Sequence, residues 1–173
     1  PVPAFSIDRR IPEPFETKWL SWIGPWNATM FVGQMEENRD VSEPYVWGMR
    51  AEFAPTILDG LEIGLFRVMQ LGGEGRPSGF KTWADAFLSQ DNYGGNSKHQ
   101  DKSKEPGNQL AGFDFRWRPL TQFPFALYSQ VVGEDEDHFL PNALMLQYGV
   151  ETWGSWDSST WRMFVEYADT TST

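Results

Sequence analysis

The chain has 173 residues, with 14 Lys plus Arg against 24 Asp plus Glu, a formal net charge of -10 and no cysteine. The length suits one domain, the acidic balance with scattered basic residues argues against nucleic acid as a partner, and the missing cysteines exclude disulfides, thiol catalysis and Cys-ligated zinc. No run of about 18 apolar residues exists, which excludes a transmembrane helix but not a transmembrane β-strand, whose apolar side chains sit at every second position.

The chain opens at Pro1 without an initiator Met, a basic segment or an apolar segment of the signal type, so the expectation is a processed protein or a piece of a longer one. Thr17 to Ile23 reads as a partial strand. In Trp26 to Gln34, residues Trp26, Ala28, Met30 and Val32 take one side, with Asn27, Thr29 and Gly33 on the other. Tyr45, Trp47, Met49, Ala51 and Phe53 alternate with Val46, Gly48, Arg50 and Glu52. Such period-two patterning is the mark of a strand with two unlike faces. Leu61 to Leu71 begins the same way, with Leu61, Ile63 and Leu65 aligned. Strict alternation would then put Arg67 among the apolar residues, and a bulge near Leu65 and Phe66 is expected to turn Arg67 inward.

Further along, Ala111, Phe113, Phe115 and Trp117 alternate with Gly112, Asp114, Arg116 and Arg118. Phe123, Phe125, Leu127 and Val131 oppose Tyr128, Gln130 and Glu134. Leu144, Leu146, Tyr148 and Val150 oppose Gln147, Gly149 and Glu151, and Trp161, Met163, Val165 and Tyr167 oppose Arg162, Glu166 and Ala168. The fold class expected is all-β: an antiparallel transmembrane β-barrel segment of about eight amphipathic strands, each near the 9 to 11 residues that cross a tilted span.

A soluble antiparallel sandwich or barrel also alternates. Two features count against it. Trp, Tyr and Phe crowd the strand ends on the apolar face, as in the girdles at membrane interfaces. Connections also alternate between short, as at Pro55 to Gly60 and Pro119 to Gln122, and long, as at Glu37 to Glu43, Gly72 to Gly107 and Asp135 to Pro141. The link Trp153 to Thr160 is the exception.

The stretch LGGEGRPSGFKTWADAFLSQDNYGG, Leu71 to Gly95, invites a nucleotide-binding reading. Its glycines at 72, 73, 75 and 79 match neither a P-loop nor a G-x-G-x-x-G fingerprint, and the flanking strands are amphipathic. Phe80, Trp83, Ala84, Phe87 and Leu88 fall instead at helical spacing, which predicts a short amphipathic helix over Phe80 to Gln90 inside the long connection.

LGGEGRP at Leu71 to Pro77, the Asp91-Asn92 pair, EPGNQLAGFDFRW at Glu105 to Trp117, PFALYSQVVGEDE at Pro124 to Glu136 and EYADT at Glu166 to Thr170 together resemble the capsule assembly Wzi family, as do PVPAFSIDRR and GPW near the start. The match runs in order over nearly the whole chain. The resemblance implies an outer-membrane β-barrel of about eighteen strands, lectin-like and without enzymatic activity, that holds capsular polysaccharide or exopolysaccharide at the cell surface of a Gram-negative bacterium. No cofactor is implied, and outer-membrane lipid is the surrounding partner. Eight strands are under half of such a barrel, so residues 1–173 are expected to form a single domain that is an internal fragment of a larger one.

If the long connections face outward, the N-terminal segment, the Gly72 to Gly107 connection and Gly133 to Phe139 are expected to meet at the outer rim. Sugars are held by aromatic faces and forked polar groups, and acidic sugars also take Arg. Arg9, Arg10, Arg76, Trp83, Asp91, Asn92 and Tyr93 are the polysaccharide-binding candidates. For Trp83 the plainer role is packing the helix onto the barrel mouth, and for Arg9 and Arg10 it is pairing with acidic loops. Glu134, Asp135, Glu136 and Asp137 form an acidic run that reads as a solvated loop tip or as a site for a hard cation. His99 and His138 lie far apart in sequence, against a metal cluster or a Ser-His-Asp triad. Arg50, Glu52, Asp114, Arg116, Arg118, Glu151, Arg162 and Glu166 are expected to face the lumen, where mixed signs on neighbouring strands favour cross-strand ion pairs; a selectivity filter is the sharper alternative. Two rival readings remain: a diffusion porin, and a soluble secreted β-protein acting on polysaccharide.

Overall fold

The computed structural model describes residues 3–87, 107–137 and 140–170, with side chains described over 3–84, 109–133 and 144–170. Asp91, Asn92, Tyr93, His99 and His138 lie outside them, as do the side chains of Glu134, Asp135, Glu136 and Asp137. Strands β1 (Ala4–Arg9), β2 (Trp26–Gln34), β3 (Tyr45–Phe53) and β4 (Leu61–Leu71) precede helix α1 (Phe80–Phe87); β5 (Gly107–Trp117), β6 (Phe125–Asp137), β7 (Leu140–Trp156) and β8 (Ser159–Asp169) follow it. All eight strands form one sheet in chain order, each pair antiparallel, with β1 and β8 at its open edges.

Alternation sorts the side chains onto two faces, and their exposure is the reverse of a soluble protein's. Leu65 and Val165, on the apolar face, are 49% and 72% exposed, whereas Glu151 on the polar face is 1% exposed. Along β7 the apolar Leu144, Leu146, Tyr148 and Val150 are all exposed, and the intervening residues are half-buried. A water-soluble sheet places its apolar face on a core. This one leaves it bare.

The connections divide between two rims. At one lie 10–25, 54–60, 118–124 and the turn at Asp157 and Ser158; at the other lie 35–44 and 72–79, with the start of β5 and the facing ends of β6 and β7. Turn chemistry explains several ends. Gly60 has φ 77°, and a side-chain carbon there would stand 1.9 Å from the carbonyl oxygen of Arg118, so the 54–60 turn docks backbone to backbone against the end of β5. Asp157 has φ 54°, a left-handed conformation that Asp tolerates, which closes the β7–β8 hairpin.

Several expectations are corrected. Thr17 to Ile23 is not a strand: Leu20 and Ser21 donate to the Thr17 carbonyl and a short 3-10 turn follows at Ser21–Ile23. The first strand is Ala4–Arg9, where Phe5 and Ile7 alternate with Ser6 and Asp8. No bulge forms in β4, because Leu65, Phe66 and Arg67 pair in unbroken register with Ala51, Arg50 and Met49. Arg67 stays on the apolar face, where Gln109 of β5 accepts from its Nη2, and Phe66 and Val68 lie on the polar face. A neighbouring acceptor thus preserves ladder bonds that a bulge would break. The acidic run is strand to Asp137, not a loop, and Trp153 to Thr160 is strand on either side of a tight turn. α1 matches its expected start at Phe80.

Candidate functional site on the polar wall and the outer rim

The polar face is a network of ion pairs and hydrogen bonds in which several links skip a strand. Arg50 on β3 donates from Nη1 and Nη2 to the two oxygens of Asp114 on β5, at 2.7 and 3.0 Å, and from Nε to Glu52 at 2.7 Å. The fork passes over Gly64 of β4, where a side-chain carbon would come within 2.5 Å of Arg50 Nη2 and 2.7 Å of Asp114. Arg116 on β5 donates from Nε to Glu151 Oε1 on β7 at 3.0 Å, past the fully buried Ala126 of β6. Arg162 on β8 donates from Nε to Glu151 Oε2 at 2.6 Å. Tyr128 on β6 donates its hydroxyl to Glu166 on β8 at 2.6 Å, its ring lying over Gly149 of β7. Phe31 and Phe66 lean over Gly48 and Gly112 in the same manner.

Small residues on the middle strand are what allow these reaches. Sequence reading placed the charges on this face but treated the interspersed glycines only as small residues. Of the eight lumen candidates, Arg50, Glu52, Asp114, Arg116, Glu151, Arg162 and Glu166 belong to the network. Arg118 does not: it falls one residue past β5 in the exposed 118–124 turn. Two polar hollows of about 550 and 410 Å³ lie along the wall, the larger bordered by Tyr128, Gln130, Gln147 and Phe164 as well as the ion pairs.

The expected meeting of three segments at one rim is corrected for Arg9 and Arg10. β1 runs from one rim to the other, so Arg9 and Arg10 emerge beside Trp26 of β2, at the rim opposite the long connection. Arg10 pairs with Asp8 at 3.1 Å. Arg9 lies on the apolar face with its guanidinium 4.0 Å from the centre of the Trp26 ring. Neither approaches Arg76 or Trp83.

At the long-connection rim, two loops lock together. Glu74 N–H donates to the Ser42 carbonyl at 2.9 Å, and Gly73 fits so closely that a side-chain carbon would meet Val41 and Ser42 within 2.7 Å. Arg76 lies in the turn that follows, its N–H donating to Gly73. Trp83 on α1 and Val32 of β2 pack against the cluster of Trp47, Met69 and Leu71, and Trp83 meets Tyr45 edge-on, at 5.8 Å between ring centres. The helix therefore caps the end of the apolar face, and Tyr45 and the 35–44 loop are site neighbours that sequence reading missed. Within that loop Glu36 accepts from Arg39 at 2.8 Å; its own backbone N–H, and then Arg39, hold its carboxyl below the ordinary carboxylate range.

An antiparallel sheet with a bare apolar face and an ion-paired polar face is what a slice of a membrane barrel wall presents. A family model for the capsule assembly protein Wzi matches residues 1–173. The chain belongs to the Wzi capsule assembly family. A Klebsiella pneumoniae relative, named an uncharacterized 55.8 kDa protein in the cps region, is 39% identical over 98% of this chain and 32% of its own length. A solved Escherichia coli Wzi structure superposes with a TM-score of 0.80 at 33% identity over 99% of this chain and 34% of its own; that Wzi is described as an outer membrane protein involved in group 1 capsule assembly and as a carbohydrate-binding β-barrel. The chain spans about a third of the length of both relatives.

Proposed function

We propose that this chain is part of the wall of an outer-membrane β-barrel that binds capsular polysaccharide or exopolysaccharide and attaches it to the cell surface, without catalysing a reaction. The observation that carries the reading is the reversed exposure: apolar side chains bare on one face, and Glu151, held between Arg116 and Arg162, buried on the other. Lipid contacts the first face and the lumen lies behind the second. The E. coli Wzi described as carbohydrate-binding supports the ligand class.

The rim that carries the long connection between β4 and β5 faces outward in this reading, so the polysaccharide contact belongs to 35–44 and 72–79 together with α1. Arg76 and Trp83 are kept as contact residues, with Tyr45 added beside Trp83. Asp91, Asn92 and Tyr93 remain candidates within the same connection. Arg9 and Arg10 are withdrawn, because they open onto the opposite rim. On the polar wall, ion pairs neutralise the arginines and leave little free positive charge for an anionic chain, so that wall serves chiefly as a brace.

The test is deletion of the parent gene in its host, with polysaccharide measured separately on cells and in the medium. Attachment requires that cell-bound material fall and released material rise at constant total. Unchanged cell-bound material rejects the function.

A further inference from the structure

The apolar face is not smooth. Ala28, Ala51 and Ala111 leave a furrow of about 570 Å³ between taller neighbours, Met30, Met49 and Leu65, and Arg67, which donates to Gln109, also lines it; the volume is within the roughly 300–1,000 Å³ of small-molecule sites. At the end toward the 54–60 and 118–124 turns stands Arg9. Its guanidinium lies over Trp26, whose ring also stacks on Phe15 at 4.9 Å between ring centres. Backbone carbonyls hold it there: Nη1 donates to Ile11 and, at 2.7 Å, to Trp26, and Nη2 donates to Glu13 at 3.1 Å.

Those acceptors are neutral. No carboxylate pairs with Arg9 among the described residues, and its Nε and one Nη2 hydrogen are left without an acceptor. The indole Nε1 of Trp26, the ring beneath it, is likewise buried without one. A full positive charge on a lipid-facing surface is costly unless an anion meets it. Here the charge is oriented in advance by three carbonyls and an aromatic face, at the mouth of an apolar furrow.

We propose that this furrow holds one anionic glycerophospholipid, its phosphate on Arg9 and an acyl chain along Ala28, Ala51 and Leu65. The proposal rests on the membrane reading above, which sets the Arg9 rim in the periplasmic leaflet. A guanidinium matches a phosphate through charge-assisted bonds and repels a headgroup ammonium. Phosphatidylglycerol is therefore favoured over phosphatidylethanolamine.

The experiment uses the full-length parent protein in detergent micelles, with the two lipids at equal concentration and matched chains, and counts retained lipid by native mass spectrometry. The wild type should keep one phosphatidylglycerol with a preference of about tenfold, the scale of one charge-assisted contact. Arg9→Gln should bring that preference close to one, while Arg9→Lys, which keeps the charge, retains most of it. Arg10→Gln, on the other face, should behave as wild type, and Ala51→Phe, which fills the furrow, should lose both lipids. Equal retention of the two lipids by the wild type would overturn the proposal, as would unchanged retention in both Arg9→Gln and Ala51→Phe. A parent protein that does not fractionate with the outer membrane would instead bring down the wider reading.

Discussion

Arg50 grips Asp114 through two parallel hydrogen bonds, at 2.7 and 3.0 Å, although a whole strand lies between them. Only the hydrogen of Gly64 separates the fork from the β4 backbone. Gly64→Val should push the two apart, leaving the carboxylate and the guanidinium incompletely paired at a cost of about 1–3 kcal/mol. Urea unfolding of the full-length protein in micelles measures it, and an unchanged midpoint would mean that the fork contributes nothing.

Glu151 is the most tightly held charge on the wall, 1% exposed and bonded by guanidiniums from β5 and β8. Removing its charge leaves two arginines facing each other, and Glu151→Gln should cost about 3 kcal/mol, in the range for breaking a buried pair. Glu52 is far more exposed and accepts one bond from an Arg50 that keeps Asp114, so Glu52→Gln should stay within about 0.5 kcal/mol of wild type. Unfolding midpoints of the two variants compare them directly.

The two faces answer differently to the same new charge. Leu65 is exposed at the middle of β4 on the apolar face. Leu65→Arg should destabilise the barrel in lipid vesicles by about 2–4 kcal/mol if hydrocarbon covers it. A surface change in a water-soluble protein would be worth about 0.5 kcal/mol or less. Gln130→Arg, on the polar wall, serves as the tolerated control.

The rim assignment predicts a division among the candidate arginines. Arg76→Gln and Trp83→Ala should each lower cell-bound polysaccharide and raise the released fraction, whereas Arg9→Gln and Arg10→Gln should leave both as in wild type. Quantifying the two fractions in a complemented deletion strain decides the point. An effect from Arg10→Gln alone would mean that the rims have been assigned the wrong way round.

Period-two alternation is a local property of the pleat, so the chain by itself determined which residues share the apolar face and which the polar face for β2, β3 and β5 to β8. It also determined the start of α1 at Phe80, and its segment order carried the family. What reaches across strands was decided only by the tertiary structure. Arg116 meets Glu151 and Tyr128 meets Glu166 because register sets a small residue under each reach, while Arg162 meets Glu151 from the adjacent strand, and register depends on both partners at once. The same holds for Arg67, which keeps its place because Gln109 stands beside it, and for Arg9, carried to the far rim once Ala4–Arg9 paired with β2. A single strand shows which way each side chain points; only its neighbours show what that side chain meets.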